Sequence, residues 1–188
     1  FPSEFIHIGG DEASKKRWES CPKCQQRMKD EGLKDVDELQ SYLIKRISRF
    51  VESKGRRIIG WDEILDGGLA SGATVMSWRG TPGGIKASAE GHDVIMSPNS
   101  YVYLDYYQDL IRKEPKAVGH MQSLRHVYKY DPLEGIDPAF HHHILGLQGN
   151  LWCELIPYAA HAEYMLYPRA FAIAEIGSCC RTLSARAG

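Results

Sequence analysis

Apolar residues along this chain gather in short runs separated by polar stretches. Five runs recur, Phe5 to Gly9, Arg57 to Trp61, Thr74 to Trp78, Asp93 to Ser97 and Ile144 to Trp152. Each has the length and composition of a β-strand. Between the first two, Leu39, Leu43, Ile47, Phe50 and Val51 recur at helical spacing, which predicts a helix starting near Asp37 as its cap, with Gln40 at the capping-box position, and stopping at Gly55. A shorter helix is predicted from about Ile85 to Glu90, stopping at Gly91, and a last one from about His161 to Glu175 with a break near Pro168. Asn99 to His143, rich in Tyr, Pro and Asp, reads as a long irregular segment, and segments of that length in a domain are usually functional.

Strand and helix alternating at short intervals predict an α/β fold of parallel strands joined by right-handed crossovers, either an open doubly wound sheet or part of a barrel. A complete (β/α)8 barrel takes about 250 residues, so five strands in 188 residues make a partial TIM barrel. The position of the reactive side chains favours the barrel. Four of the runs end in His7-Ile8-Gly9-Gly10-Asp11-Glu12, Gly60-Trp61-Asp62-Glu63, Ser77-Trp78-Arg79 and Asn150-Leu151-Trp152-Cys153-Glu154, and the fourth run feeds Tyr101-Val102-Tyr103-Leu104-Asp105 just beyond it. The loops after the strands are where barrel enzymes build their sites. Residues two apart in a strand share a face, so Gln148, Asn150, Trp152 and Glu154 are expected on one face and Leu145, Leu147 and Leu151 on the other. Tyr101, Tyr103 and Asp105 form a second alternation, and His7, Gly9 and Asp11 a third.

Composition narrows the partner. With 23 basic and 24 acidic residues mixed along the chain, the formal charge of −1 gives no case for nucleic acid or an anionic membrane, and a small neutral ligand fits better. No apolar run reaches the roughly 18 residues of a membrane span. The first residue is Phe rather than Met, which reads as a processed end or a truncation. Five cysteines cannot all pair within the chain. Cys21 and Cys24, in Cys-Pro-Lys-Cys, have the spacing of half a zinc site, but no second pair follows, so a local turn or a lone disulfide is the expectation. Cys179 and Cys180 receive no assignment.

Sugar hydrolysis needs a proton donor for the glycosidic oxygen and a negative group for the oxocarbenium-like transition state or for the group that attacks it. Adjacent Asp11 and Glu12 supply both, and partial desolvation in a pocket would help hold one of them protonated. Gly9 and Gly10 let the backbone turn sharply before them, and tryptophans offer platforms for the CH faces of a pyranose ring. Single residues have plainer explanations: an Asp-Glu after a strand caps a helix, and tryptophans fill cores. Asp62 and Glu63 are expected to begin a helix in a structural role. The joint placement of the set carries the reading. A metal-dependent hydrolase is the rival prompted by eight histidines, but His141, His142 and His143 precede the last strand and so belong at the face opposite Asp11 and Glu12, as a solvated run.

His-Ile-Gly-Gly-Asp-Glu, Gly-Trp-Asp-Glu, Ser-Trp-Arg-Gly, Tyr-Leu-Asp-Tyr-Tyr-Gln and Asn-Leu-Trp-Cys-Glu, in this order, resemble the successive signatures of family 20 glycoside hydrolases, the β-N-acetylhexosaminidases. The likeness runs to about Glu175, giving residues 1–176 as the C-terminal part of the catalytic barrel, about strands 4 to 8, and 177–188 as a tail without assigned role. It implies substrate-assisted, retaining, exo-acting hydrolysis of terminal β-linked N-acetylglucosamine or N-acetylgalactosamine, in which the 2-acetamido oxygen attacks the anomeric carbon to give an oxazolinium intermediate. By the resemblance Glu12 is the general acid/base, Asp11 orients the acetamido group, and Tyr103 holds its oxygen. Trp61, Trp78 and Trp152 wall the pocket, and Asp105 and Glu154 bind sugar hydroxyls. No metal or organic cofactor is implied, and a periplasmic or secreted location is. The family's earlier strands contribute an arginine and a histidine that this chain does not supply. A missing N-terminal barrel segment or a homo-oligomer is therefore the expected partner, and a sugar-binding or inactive fragment is the alternative reading.

Overall fold

The computed structural model describes residues 2–184, with side chains through Ser178. The chain is an α/β fold of parallel strands and intervening helices that divides into two compact units, residues 1–76 and 77–188.

The first unit runs β1 (Phe5–His7), α1 (Lys16–Ser20), α2 (Pro22–Glu31), α3 (Val36–Glu52), β2 (Arg57–Trp61), a 3-10 turn (Asp62–Leu65) and β3 (Thr74–Ser77), whose last residue crosses into the second unit. β2 pairs in parallel with β1, His7 opposite Ile59, and with β3, Trp61 opposite Met76. Ile58, Ile59, Val75 and Met76 are all buried, the continuous apolar pattern of parallel strands covered on both faces. The expected strands are present, β2 over its whole expected range and β1 and β3 with shorter ends. The helix start moves: Asp35, not Asp37, is the cap, its carboxylate accepting from the Asp37 and Glu38 amides at 3.0 and 2.8 Å, while Glu38 accepts from the Lys34 amide at 2.7 Å. The buried face also rotates from the expected one. Leu39, Ile44 and Val51 are buried with Gln40, Ser41 and Ser48, whereas Leu43 and Phe50 are 50% and 65% exposed. Small serines allow close packing, and the Ser41 hydroxyl donates to the Gly68 carbonyl.

Helices α1 and α2 were not anticipated, because neither has an apolar stripe; Met28 is the one buried residue of α2. That helix is supported instead by the i,i+4 contacts Gln26–Asp30 at 2.8 Å and Arg27–Glu31 at 3.0 Å. Gly32 closes it in the left-handed conformation, with the Leu33 amide returning to the Met28 carbonyl at 2.8 Å.

The second unit contains α4 (Pro82–Ala89), β4 (Val94–Met96), α5 (Asn99–Val102), β5 (Tyr106–Tyr107), β6 (Val118–Met121), α6 (Leu124–Tyr128), β7 (Ile144–Leu147), α7 (Ala159–Leu166) and α8 (Arg169–Ser184). β4 and β7 pair in parallel, with a register shift after Val94. Where a strand to Trp152 was expected, β7 stops at Leu147 and only an isolated bridge between Tyr103 and Asn150 prolongs it. The bulge at Gly146 also leaves Leu145 exposed, against the expected alternation. The segment expected to be irregular holds α5, α6 and the parallel pair β5–β6. Its buried anchors, Val102, Leu104, Val127 and Tyr130, are spaced too widely for a periodic signal. The last helix breaks at Pro168 as expected, into α7 and α8, and α8 continues past Glu175 to Ser184; residues 185–188 of the expected tail, and the side chains of Cys179 and Cys180, lie outside the described part. No helix among the described residues is long and apolar enough to cross a membrane.

Candidate active site

In the first unit the Asp11–Glu12 pair is carried on a turn whose shape is set by close backbone packing. The Ile8 amide donates to Ile59 at 2.8 Å, prolonging β1, and the Trp61 amide donates to the Gly9 carbonyl at 2.9 Å. Beyond that contact the backbone swings to positive φ at Gly9, Gly10 and Glu12, 71°, 104° and 47°. Glu12 is the one described non-glycine residue in that region, a conformation of order 1 kcal/mol above the ordinary wells that persists only where neighbours enforce it. Those neighbours are close. A Cβ on Gly10 would lie 2.9 Å from the Ile64 side chain, and one on Gly60 would lie 2.6 Å from Ile64 and 3.1 Å from the Gly9 carbonyl. Gln40, buried in α3, donates its amide to the Gly10 carbonyl at 3.0 Å, and Lys15, just after the turn, pairs with Asp37 of α3.

The turn therefore projects both carboxylates outward. Asp11 and Glu12 are exposed, in place of the partial desolvation expected for them. Trp61 is half-buried, its ring edge-on to His7 at 5.0 Å. Desolvation lowers the His7 pKa below its ordinary value, partly opposed by the Asp11 carboxylate. Asp62 and Glu63 open the 3-10 turn and are buried, consistent with the structural role expected of them.

In the second unit the remaining expected residues do meet. Trp78 and Tyr103 stack with ring centroids 6.3 Å apart and planes 13° from parallel, and Trp152 stands edge-on to Tyr103 at 6.0 Å. Trp152 is 40% exposed, whereas Tyr103 and Asp105 are buried. Burial, with the charges of Asp105 and Tyr106 nearby, raises the Tyr103 hydroxyl to about 12. The Asp105 carboxyl is raised to about 6, chiefly by burial and further by the Glu154 carboxylate, against the lowering influence of Arg169 and of backbone amides, that of Trp152 among them. Glu154 itself is exposed. The result is an aromatic wall with a neutralisable carboxyl at its base, able to stack on a sugar ring and hydrogen-bond its hydroxyls.

Tyr101 does not join this set. It lies in α5 and stacks on His126 and Tyr130 at 4.8 and 4.7 Å, because a helical turn replaces the strand alternation assumed for it.

Two further residues hold the wall in place. The buried Asn150 donates from its side chain to the Ser97 hydroxyl at 2.7 Å, accepts from Gln148 at 2.8 Å, and pairs through its backbone with Val102 and Leu104 at 3.0 and 2.7 Å. Arg169, at the start of α8 and fully buried, donates to the carbonyls of Leu104, Tyr106, Gln122 and Met165 at 2.6, 2.9, 3.1 and 2.7 Å. Tyr106 extends the wall, edge-on to Tyr103 at 6.0 Å and to His120 at 5.2 Å. Asn150 was visible as a polar residue in an apolar run; nothing local marks Arg169.

Among the described residues no three His, Cys, Asp or Glu side chains gather as metal ligands. His141 contacts the Ile136 carbonyl at 3.0 Å and His143 the Asp93 carboxylate at 3.4 Å, contacts that anchor the turn before β7. Cys21 and Cys24 are both free thiols at the start of α2, so of the two expectations, a local turn or a lone disulfide, the disulfide is not formed.

A family model described as the catalytic domain of glycosyl hydrolase family 20 matches residues 1–177. The Beta-hexosaminidase of Porphyromonas gingivalis is 52% identical over 178 residues, covering 94% of this chain and 23% of that protein. The Beta-hexosaminidase of Vibrio furnissii is 39% identical over 182 residues, covering 94% and 30%. Among solved structures, the chain is similar to the exo β-N-acetylglucosaminidase of Vibrio harveyi in complex with N-acetylglucosamine, at a TM-score of 0.82 and 32% identity, covering 94% of this chain and 28% of that one. The chain thus spans less than a third of the length of these relatives.

Proposed function

Since the chain belongs to the catalytic domain of glycosyl hydrolase family 20, we propose that it is the C-terminal part, about strands 4 to 8, of a (β/α)8 barrel acting as a retaining exo-β-N-acetylhexosaminidase on terminal β-linked N-acetylglucosamine or N-acetylgalactosamine. The observation that carries this reading is the Trp78–Tyr103–Trp152 wall beside buried Asp105, aromatic faces on which a pyranose ring stacks with a carboxyl at hand for its hydroxyls.

In this reading Glu12 protonates the leaving oxygen and then activates water, and Asp11 orients the acetamido group whose oxygen attacks the anomeric carbon. Tyr103, its hydroxyl held protonated by burial, donates to that acetamido oxygen. Trp61, Trp78 and Trp152 bound the ring, and Asp105 and Glu154 accept from sugar hydroxyls, which makes a terminal residue the one that fits. The strained φ of Glu12 supports a turn selected for the direction of its carboxylate rather than for stability.

The test is release of a chromogenic leaving group from a β-N-acetylglucosaminide, with Glu12→Gln as the control. Turnover that Glu12→Gln abolishes supports the reading. A folded chain that binds N-acetylglucosamine by calorimetric titration without turnover supports the second reading, a sugar-binding fragment, which the exposure of Asp11 and Glu12 favours. Neither binding nor turnover from the folded chain overturns both for these residues.

A further inference from the structure

Cys-Pro-Lys-Cys has no part in the sugar chemistry, yet the fold brings its two thiols together at a helix start. Cys21 is the residue before α2, with extended backbone, Pro22 opens the helix, and Cys24 is its third residue; the Gln25 amide donates to the Cys21 carbonyl at 3.0 Å. Residues three apart on a helical turn have Cα atoms about 5 Å apart, from a radius of about 2.3 Å and a rise of about 1.5 Å per residue, inside the Cα range of about 4.4–6.8 Å that a disulfide spans; its Cβ atoms must approach to about 3.5–4.5 Å, which a small backbone adjustment at Cys21, extended and just outside the helix, supplies without moving α2. Both thiols are free and partly exposed, and no metal-binding group forms around them among the described residues.

The two are chemically unequal. The Cys24 and Lys23 backbone amides and the Cys24 thiol face the Cys21 sulfur and lower its pKa, with the Lys23 charge adding to the effect. Cys24, whose proton is shared toward that sulfur, is raised. A low-pKa thiol beside a protonated one is the pairing of an attacking and a resolving cysteine.

We propose that Cys21 and Cys24 form a thiol–disulfide exchange site whose oxidant is an external disulfide of a small thiol or of another protein. The Cys21 thiolate attacks one sulfur of that disulfide, forming a mixed disulfide and expelling the first thiolate, which takes up the proton Cys21 has lost. Cys24 gives up its proton and attacks the Cys21 sulfur, expelling the second thiolate, which takes up that proton. The external disulfide is reduced to two thiols and the Cys21–Cys24 bond is the oxidised product. The reverse sequence, driven by excess thiol, restores both cysteines. This site stands independently of the sugar reading.

The experiment is incubation of the full chain with glutathione disulfide, followed by alkylation and peptide mass mapping, with exposed Cys153 as the internal reference. The expected result is loss of both Cys21 and Cys24 thiols as one intramolecular disulfide, formed several-fold faster than glutathione adds to Cys153 and reversed by excess reduced glutathione. Cys24→Ser is expected to trap glutathione on Cys21, and Cys21→Ser to leave Cys24 reacting several-fold more slowly. The proposal is overturned if Cys21 and Cys24 stay reduced while Cys153 reacts, or if the two serine variants take up glutathione at equal rates.

Discussion

Arg169→Met is expected to destabilise the chain strongly. The guanidinium is fully buried and donates to four backbone carbonyls, those of Leu104, Tyr106, Gln122 and Met165, at 2.6 to 3.1 Å. Two of those carbonyls flank Asp105, and Gln122 directly follows β6, so one side chain ties three segments together. A hydrogen bond to a charged group contributes about 1.5–3 kcal/mol, but the gross total overstates the net, because burial opposes the charge and lowers the Arg169 pKa to about 10. Methionine of similar length removes every donor and leaves buried acceptors without a partner, at about 1–3 kcal/mol for each carbonyl that water does not reach, so a net loss of about 3–5 kcal/mol is expected. Urea unfolding at neutral pH, followed by tryptophan fluorescence, measures it. The expected result is a loss in that range with an unchanged denaturant slope. Arg169→Lys, which keeps the charge but not the planar fork, is expected to recover less than half of the loss. A loss below about 1 kcal/mol for Arg169→Met would refute the clamp, because it would mean that water serves those carbonyls equally well.

Gly60→Ala places a methyl 2.6 Å from Ile64 and 3.1 Å from the Gly9 carbonyl, so it should cost about 1–3 kcal/mol by urea unfolding, as overpacking does; an unchanged midpoint would show that the Gly9–Gly10 turn tolerates displacement. Gln40→Met keeps the bulk of the side chain but removes the donor to the Gly10 carbonyl, and a loss of about 1–2 kcal/mol is expected in the same assay, against none if the carbonyl is otherwise solvated. Asp105 has its pKa raised from 3.8 to about 6 in the fold, so the folded chain holds an extra proton between those values, and the stability this contributes is full below about pH 4 and lost as pH rises through about 6. Compared with Asp105→Asn, the wild-type unfolding free energy should therefore fall across that interval, while N-acetylglucosamine affinity should rise as the carboxylate forms; a pH-independent difference between the two proteins would contradict the raised value.

The strands and the chemistry were legible where a signal is local. β2 falls where its apolar run predicts, Gly9 and Gly10 mark the turn that carries Asp11 and Glu12, and the order of the five signatures is enough to point to the family. Polar α1 and α2 carry no stripe, and the buried face of α3 departs from the apolar stripe because Gln40, Ser41 and Ser48 are buried on it beside Leu39, Ile44 and Val51, while Leu43 and Phe50 are exposed. Tyr101 was placed with Tyr103 and Asp105 by an alternation that a helical turn abolishes. What the amino-acid order determined by itself was the set of chemical groups and the short-range conformations that present them, since glycine permissiveness, strand parity and capping act over a few residues. What only the tertiary structure decided was which groups lose water and gain partners: that Asp105 is buried while Glu12 is exposed, that Gln40 serves the Gly10 carbonyl thirty residues away, and that Arg169 clamps carbonyls as many as sixty-five residues earlier. Burial and long-range hydrogen bonding depend on where distant segments pack, and no local pattern encodes that.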